Sequence, residues 1–314
     1  MKSVNDIKKI AVLGAGVMGP GIAQTFAMAE YPVTMWTRSE QTREKAKVTL
    51  YRNLQTFIEE GLLGADRQEE TFNRVNFAMT VEEAVNGADF ITETIVENKA
   101  AKIELYKTID AVASDNAIIA SNTSALDIFA LIPENRLKQA VIAHWYSPPQ
   151  IIPLVDVVKS EQASQEYADI TVALLEKCGK KAVSMKKFIP GYIVNRIQDI
   201  IRKEIFNLLD NGYCTPQDID MAVKSSLMPR GVVLGLCKRM DFAGLDMAAN
   251  HYYNDNIDLP KTLKGHIDRG ELGFKAGKGF YDYSGVDRQD HLAKRDKQLF
   301  EVFKLAKKFI DDPV

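Results

Sequence analysis

The chain has 314 residues, of which 46% are hydrophobic and 26% charged, and its formal net charge is −2 at pH 7. This length suits two domains, and the charge balance gives no reason to expect a nucleic acid or a membrane surface as a partner. The three widely spaced cysteines form no metal-ligand pattern, so we expect no metal. An odd number of cysteines without a signal-peptide pattern predicts the cytoplasm as the compartment.

The first motif lies at residues 9–19, where a short apolar run precedes three glycines spaced G-x-G-x-x-G. Gly14 would allow a tight turn, Gly16 would let the backbone approach a pyrophosphate, and Gly19 would let a helix pack closely on the strand. The phosphates would then meet free N–H groups at the helix N-terminus. Because a second β-rich run follows at 33–37, the pattern predicts a βαβ dinucleotide-binding unit.

Short β-rich runs alternate with helical periodicity up to about residue 187. We predict strands at 10–13, 33–37, 89–93, 117–121, 140–145, 154–158 and 181–185, with helices over about 19–29, 40–60 and 99–113. This alternation predicts a doubly wound α/β fold of the Rossmann type, with a parallel sheet covered on both faces. From Tyr192 onward only helical spacing is found, and Thr215-Pro216 predicts a helix start. We therefore predict a dinucleotide-binding domain over 1–187 and an all-helical domain over 188–314.

His144 is the histidine placed at the C-terminal end of a predicted strand, where doubly wound sheets bind ligands. Oxidation of an alcohol needs a base for the hydroxyl proton, and imidazole suits that task near neutral pH. The β-rich runs at 141–146 and 151–158 are joined by a short proline-containing segment, so the chain would fold back and bring Asp156 beside His144. A carboxylate there would fix the tautomer of the imidazole. The alternative is a strand-end histidine satisfied by the backbone.

At this point the sequence resembles the L-3-hydroxyacyl-CoA dehydrogenase family over nearly its whole length. The resemblance rests on the glycine motif with Met18, Glu93-Thr-Ile-Val-Glu97-Asn, Ser121-Asn-Thr-Ser124, His144 with its prolines, Pro190-Gly-Tyr-Ile-Val-Asn195-Arg and Gly273-Phe-Lys-Ala-Gly-Lys-Gly279-Phe-Tyr281. It implies an oxidoreductase of fatty acid metabolism that interconverts 3-hydroxyacyl-CoA and 3-oxoacyl-CoA with a nicotinamide cofactor. It also implies a homodimer formed through the helical domain.

The resemblance further implies roles for four side chains. His144 would be the catalytic acid–base, and Asp156 would take the place of its orienting glutamate. Ser124 and Asn195 would donate hydrogen bonds to the substrate oxygen and the reacting groups. From the residues alone, another interpretation stays open for the last two: Ser124 as the cap of a helix that starts near Leu126, and Asn195 as a polar residue at a helix start.

Cofactor contacts are expected along the first half of the chain. The candidates are Gly14, Gly16, Met18, Gly19, Thr37, Arg38, Glu97 and Lys102. Glu97 would approach either the nicotinamide carboxamide or Lys102, and a helix-start role is equally open for it. The end of the second strand carries Thr37 and Arg38 instead of the acidic residue that usually binds the adenosine ribose. Because no carboxylate repels a 2′-phosphate there, we predict NADP as the cofactor, with NAD as the alternative.

The substrate is less constrained than the reaction. Asp156 is one methylene shorter than the family's glutamate, and Ser147 stands where the family has an asparagine, so the pocket should differ. The resemblance extends to relatives that act on small hydroxy acids and carry a matching arginine, which implies that Arg230 in the helical domain could bind a free carboxylate with two hydrogen bonds. The alternative for Arg230 is a surface or interdomain salt bridge. Besides the 3-hydroxyacyl-CoA interpretation, we therefore keep two alternatives: a dehydrogenase of a small free hydroxy carboxylate, and a non-catalytic dinucleotide-binding protein.

Overall fold

The structure is a computed structural model that describes residues 3–311. Within these residues the chain divides into two compact units, one ending at Gln198 and the other beginning at Asp199. The predicted boundary after residue 187, between a dinucleotide-binding domain and a helical domain, stays a prediction. None of the described helices has both the length and the apolar character needed to cross a membrane.

The first unit is built around one sheet, which has eight strands within the described residues. The strands are β1 (Ile10–Leu13), β2 (Val33–Trp36), β3 (Val75–Ala78), β4 (Phe90–Glu93), β5 (Ile118–Ser121), β6 (Ala140–Trp145), β7 (Leu154–Lys159) and β8 (Lys181–Met185). Their order is β3-β2-β1-β4-β5-β6-β7-β8, and β1 to β6 are mutually parallel. Strand β7 runs antiparallel to β6, and β8 is parallel to β7. The predicted doubly wound fold is confirmed.

The helices of this unit lie between the strands in sequence. They are α1 (Gly19–Met28), α2 (Glu40–Glu59), α3 (Gln68–Asn73), α4 (Val81–Val85), α5 (Lys99–Val112) and α6 (Gln165–Lys177), and α7 (Val194–Asp210) continues into the second unit. The sequence prediction missed β3. This strand is four residues long, lies at an edge of the sheet and exposes Asn76, so its apolar residues form no continuous run.

The apolar strands are explained by burial on both faces of the sheet. In β1, Ile10 and Val12 pack in one hydrophobic cluster, while Ala11 and Leu13 pack in the other, and all four side chains are fully buried. Alternate residues of a strand point to opposite faces, so a strand covered on both sides needs apolar residues at every position. The large side chains of such a strand each contribute roughly 1.5–3 kcal/mol through burial.

The second unit is helical, as predicted. Its further helices are α8 (Pro216–Ala222), α9 (Met228–Ala243), α10 (Leu245–Asn254), α11 (Lys261–Asp268) and α12 (Arg288–Asp311). The predicted start of α8 is confirmed, because the Thr215 side chain accepts the N–H of Asp218 and Pro216 occupies the first turn. The buried carboxylate of Asp241 accepts N–H bonds from Phe280 and Tyr281 at 2.9 and 3.0 Å, and so holds the glycine-rich segment in place.

Candidate active site

The glycine motif forms the turn between β1 and α1. Gly14 has φ +120°, and a Cβ there would lie 2.7 Å from the carbonyl oxygen of Thr94. A Cβ on Gly19 would collide with the carbonyl oxygen of Gly14, whereas one on Gly16 would meet no heavy atom within 4 Å. Gly14 and Gly19 are therefore required by the fold, and Gly16 leaves room for a ligand beside the backbone.

A cavity of about 980 Å³ opens beside this turn, at the carboxyl ends of the parallel strands. Its lining includes Gly14, Gly16, Met18, Trp36, Arg38, Glu97, Asn122, Ser124, His144, Tyr146, Ser147 and Asn195. Apart from Asn195, which lies in α7, these residues lie at or just after the carboxyl ends of β1, β2, β4, β5 and β6, where doubly wound sheets bind ligands. The structure thus brings the glycine turn and most of the predicted catalytic residues to one cavity.

His144 and Asp156 occupy opposite positions in the antiparallel pair of β6 and β7. Nδ1 of His144 lies 3.3 Å from Oδ2 of Asp156, and the two residues are 4% and 0% exposed. The predicted return of the chain is therefore confirmed. With Nδ1 directed at the carboxylate, Nε2 is the nitrogen left to receive or deliver a proton on the cavity side.

Two tyrosines enclose the imidazole. The ring of Tyr192 stacks on His144 with centroids 4.4 Å apart, and the ring of Tyr146 meets it edge-on at 4.6 Å. The hydroxyl of Tyr192 donates to the carbonyl oxygen of Thr123 at 2.6 Å, and that of Tyr146 donates to Oδ2 of Asp156 at 2.7 Å. The sequence analysis gave Tyr146 no role. The signal that it missed is the His-x-Tyr spacing, which places both side chains on one face of the strand.

Ser124 and Asn195 both line the cavity, so the structure places them with His144. The alternative that Ser124 caps a helix near Leu126 is wrong, because the short 3₁₀ turn that follows begins at Ile128 and is capped by Asp127. Asn195 does lie in the first turn of α7, as its alternative stated, and it still faces the cavity.

Asn122 is a lining residue that the sequence analysis quoted within a motif without giving it a role. Its Oδ1 accepts the N–H of Trp145 at 2.8 Å, and its Nδ2 donates to Oγ1 of Thr94 at 3.2 Å. The amide therefore links the ends of β4, β5 and β6 beside the cavity.

Glu97 is fixed by several donors. Its carboxylate accepts the hydroxyl of Thr123 at 2.8 Å, the backbone N–H of Ser124, and the ammonium of Lys102 at 3.4 Å. Burial raises the pKa of Glu97, but the backbone N–H of Ser124, the Thr123 hydroxyl and the nearby Lys102 charge outweigh it, so the net pKa lies below its usual range. An ionised Glu97 thus fixes the backbone of Ser124.

Lys102, predicted as a cofactor contact, is 1% exposed. Its Nζ lies 2.6 Å from Oε1 of the fully buried Glu93, whose other oxygen accepts the hydroxyls of Tyr106 at 2.9 Å and Ser121 at 2.6 Å. Burial and the Glu93 charge hold the pKa of Tyr106 well above its usual range. This placement corrects the expected role of Lys102: it stabilises the buried carboxylate of Glu93 and supports Glu97 from within the fold.

Thr37 and Arg38 follow β2, and both were predicted to bind the adenosine ribose. Their side chains have different environments. Thr37 is 1% exposed, and its hydroxyl lies 3.5 Å from the carbonyl oxygen of Ala78, so it faces the neighbouring strand. Arg38 is exposed and lines the cavity together with Thr42. The geometry therefore leaves Arg38 as the cofactor candidate at this end and corrects the expectation for Thr37.

Arg230 lies on α9 of the second unit and is half-buried. Its Nε donates to the carbonyl oxygen of Ser226 at 3.1 Å. Its role toward a substrate stays a prediction.

Comparison with known proteins decides the family. Residues 9–188 match the family model described as 3-hydroxyacyl-CoA dehydrogenase, NAD binding domain, and residues 191–283 match its C-terminal domain. The chain belongs to the 3-hydroxyacyl-CoA dehydrogenase family. It is therefore an oxidoreductase that acts on a CH–OH group with a nicotinamide cofactor. Membership in this family replaces the hypothesis of a non-catalytic protein.

Similar proteins include several enzymes. A probable 3-hydroxybutyryl-CoA dehydrogenase of Bacillus subtilis is 34% identical over 286 residues, which cover 88% of this chain and 98% of that protein. A 3-hydroxyacyl-CoA dehydrogenase of Archaeoglobus fulgidus has a crystal structure that aligns with a TM-score of 0.77 at 27% identity, covering 95% and 98% of the two chains.

A third relative acts on a different kind of molecule. A 5-formyl-3-hydroxy-2-methylpyridine 4-carboxylate 5-dehydrogenase of Mesorhizobium japonicum is 27% identical over 303 residues, which cover 94% of this chain and 97% of that protein. A crystal structure of a dehydrogenase for that compound, described as an NAD+-dependent dismutase, aligns with a TM-score of 0.71 at 27% identity, covering 96% and 99% of the two chains.

Proposed function

We propose that this enzyme interconverts a 3-hydroxyacyl-CoA and a 3-oxoacyl-CoA, with His144 as general acid and base. The observation that carries the proposal is that His144 lines the same cavity as the glycine turn while Asp156 engages its Nδ1. This arrangement has the two parts that reversible alcohol oxidation needs, a dinucleotide site and an oriented base beside it.

Each residue of the site has its own proposed role. A bound nicotinamide supplies the hydride acceptor or donor. In oxidation, Nε2 of His144 takes the hydroxyl proton, and in reduction it returns one to the carbonyl oxygen. Asp156 stabilises the imidazolium that forms meanwhile. Ser124 and Asn195 donate hydrogen bonds that polarise the substrate oxygen without adding a titratable group.

A nicotinamide dinucleotide fits the residues at the turn, because the backbone at Gly16 borders open space at the start of α1. We further propose that NADP is preferred over NAD. Arg38 lines the cavity, and it forms no ion pair within the part of the chain that the structure describes, so its guanidinium is available for a 2′-phosphate.

A second candidate is the oxidation of a small free hydroxy carboxylate. It is favoured by the similarity to the Mesorhizobium japonicum enzyme, whose named substrate carries a carboxylate. Arg230 would then bind the carboxylate, since its Nε is engaged by Ser226 while its terminal nitrogens keep their donors. We rank this candidate second because the Bacillus subtilis relative, at 34% identity, is named for a CoA thioester.

For assembly, we propose a homodimer formed through the helical unit. On α9, Met228 and Val232 lie four residues apart on one helical face and are 51% and 74% exposed, and Leu236, just beyond the break in the helix at Gly235 (φ +67°), is 47% exposed. A Val232→Glu variant should lower the mass measured by light scattering from that of a dimer to that of a monomer.

The cytoplasm remains our proposed compartment.

The test of function is steady-state oxidation of NADPH and of NADH with acetoacetyl-CoA. We expect turnover that falls roughly 100- to 10,000-fold in His144→Gln, because the reduction of the carbonyl loses its proton donor. Binding of the reduced cofactor, followed by its fluorescence, should persist in that variant. The matched control is His251→Gln, which alters an exposed histidine of the second unit. Turnover of a free 3-oxo acid but not of acetoacetyl-CoA would favour the second candidate.

A further inference from the structure

Asp156 receives two donors on one oxygen. Oδ2 accepts the hydroxyl of Tyr146 at 2.7 Å and lies 3.3 Å from Nδ1 of His144, while Oδ1 is buried without a hydrogen-bond partner among the described residues. The bond from the tyrosine is the shorter of the two and has the length expected for a hydroxyl that donates to a carboxylate.

We propose that Tyr146 is a positioning residue, whose hydroxyl fixes the carboxylate of Asp156 and weakens the hold of that carboxylate on the imidazolium of His144. The inference rests on the proposed role of His144 and adds to it a residue that sets how readily the base releases its proton.

The physical reason is that Tyr146 and His144 both interact with the single negative charge of Asp156. A carboxylate oxygen that already accepts a strong hydrogen bond has its negative charge partly neutralised, so it stabilises a neighbouring cation less. The tyrosine keeps its proton throughout, because burial and the adjacent Asp156 hold the pKa of Tyr146 well above its usual range. It therefore acts as a permanent donor over the whole working pH range.

Few other charged groups can compete with this effect. Within the described residues of the first unit, the titratable groups in contact with the imidazole are Asp156 from β7, Tyr146 from the end of its own strand, and Tyr192 stacked on its ring. Burial holds the pKa of Tyr192 above its usual range, and the charges of Glu97, Asp156 and Asp127 act in the same direction, so this hydroxyl also stays neutral.

The experiment is an NMR titration of the protein labelled with ¹⁵N-histidine. The chain has only four histidines, so the His144 signal is assigned by its absence in His144→Gln. In Tyr146→Phe, which removes only the hydroxyl, we expect the titration midpoint of His144 to rise by roughly half a pH unit or more, because the undivided charge of Asp156 then favours the imidazolium. The matched control is Tyr192→Phe, whose lost hydroxyl bonds Thr123 and leaves the donors of Asp156 intact. It should not move the midpoint.

A second pair of variants tests whether the Tyr146 substitution acts on His144 through Asp156 or by another route. In Asp156→Asn the charge to be shared is gone, so adding Tyr146→Phe should cause no further shift. An unchanged or lowered midpoint in the single Tyr146→Phe variant would overturn the proposal, as would an equal shift in the asparagine background.

The titration needs no substrate, and it therefore separates this inference from the proposed function. If His144→Gln kept full turnover, the acid–base role would fail, whereas the coupling of Tyr146 to His144 would still be decided by the midpoint. Where turnover is present, the acid limb of alcohol oxidation should move to higher pH in Tyr146→Phe by the same amount. A merely structural role would lower kcat without moving that limb.

Discussion

Oδ2 of Asp156 and Nδ1 of His144 lie 3.3 Å apart across an antiparallel strand pair, in a region where both residues are almost fully buried. The register of the pair sets this distance, because the two residues are direct partners. An aspartate side chain is short, and the strand pairing brings its carboxylate within reach of the imidazole. Hydrogen bonds between catalytic groups are commonly long in the free enzyme and shorten when the substrate is bound.

Replacing Asp156 by asparagine should lower kcat by roughly 100- to 10,000-fold, because the amide neither balances the imidazolium nor holds the required tautomer. The measurement is kcat with the better cofactor, together with the dissociation constant of that cofactor, which should change little. The matched control is Asp169→Asn, an exposed carboxylate on α6. Full activity in Asp156→Asn would show that His144 works without this partner.

The preference for NADP depends on Arg38. In Arg38→Gln we expect the dissociation constant of NADPH to rise roughly 10- to 100-fold, since a charge-assisted bond to a phosphate contributes about 1.5–3 kcal/mol. The dissociation constant of NADH should stay nearly constant, and calorimetry gives both. Lys45→Gln, an exposed cation on α2, is the control for a general charge effect. Tighter binding of NADH than of NADPH by the unaltered protein would contradict the predicted preference.

The sequence predicted the parts of this site that depend on local geometry. Gly14 and Gly19 show the positive φ and the close backbone packing that the motif predicts, and the short segment after Tyr146 made the pairing of His144 with Asp156 foreseeable. Side-chain direction at strand ends was not foreseeable. Thr37 and Arg38 are neighbours in the chain, yet one is buried against β3, a strand that the sequence did not reveal, and the other lines the cavity.

Long-range partners of buried charges also escaped prediction. The sequence analysis quoted Glu93 only within a motif, and it expected Lys102 to contact the cofactor. The fold instead pairs them in the interior. Either charge buried there without the other would carry a large desolvation penalty. A periodicity argument can place both on their elements, but it cannot show which side chains meet across a sheet and a helix.

This buried pair leads to a stability prediction. Lys102→Met should lower the free energy of unfolding by about 3–5 kcal/mol, because it leaves the carboxylate of Glu93 buried without its cation. Urea unfolding measures the loss. The control is Lys107→Met on the same helix, which breaks an exposed ion pair with Glu104 and should cost less than about 1 kcal/mol. The double variant Glu93→Gln with Lys102→Met should recover part of the loss, whereas an additive loss would mean that the two charges are not coupled.

Lys180 should make the free energy of unfolding depend on pH in the alkaline range. Its ammonium donates to the carbonyl oxygens of Pro149 and Ile152 at 2.5 and 3.1 Å, and burial lowers the pKa of Lys180 from 10.5 to about 8. Between these two values the unfolded chain binds a proton that the folded protein has released. The contribution of this group to the free energy of unfolding therefore rises with pH from about 8 to about 10.5 and is least favourable below pH 8.

The prediction is a difference between two proteins measured by urea unfolding. From pH 7 to pH 9.5, the stability of the unaltered protein relative to Lys180→Met should increase by roughly 2 kcal/mol, because each pH unit above the folded pKa contributes about 1.36 kcal/mol. Comparing the two proteins at each pH cancels the titration of every other group. Lys181→Met, at the exposed neighbouring position, should show no such trend. A constant difference across this range would mean that Lys180 keeps its proton in the folded protein, and that its two carbonyl acceptors offset the cost of burying the charge.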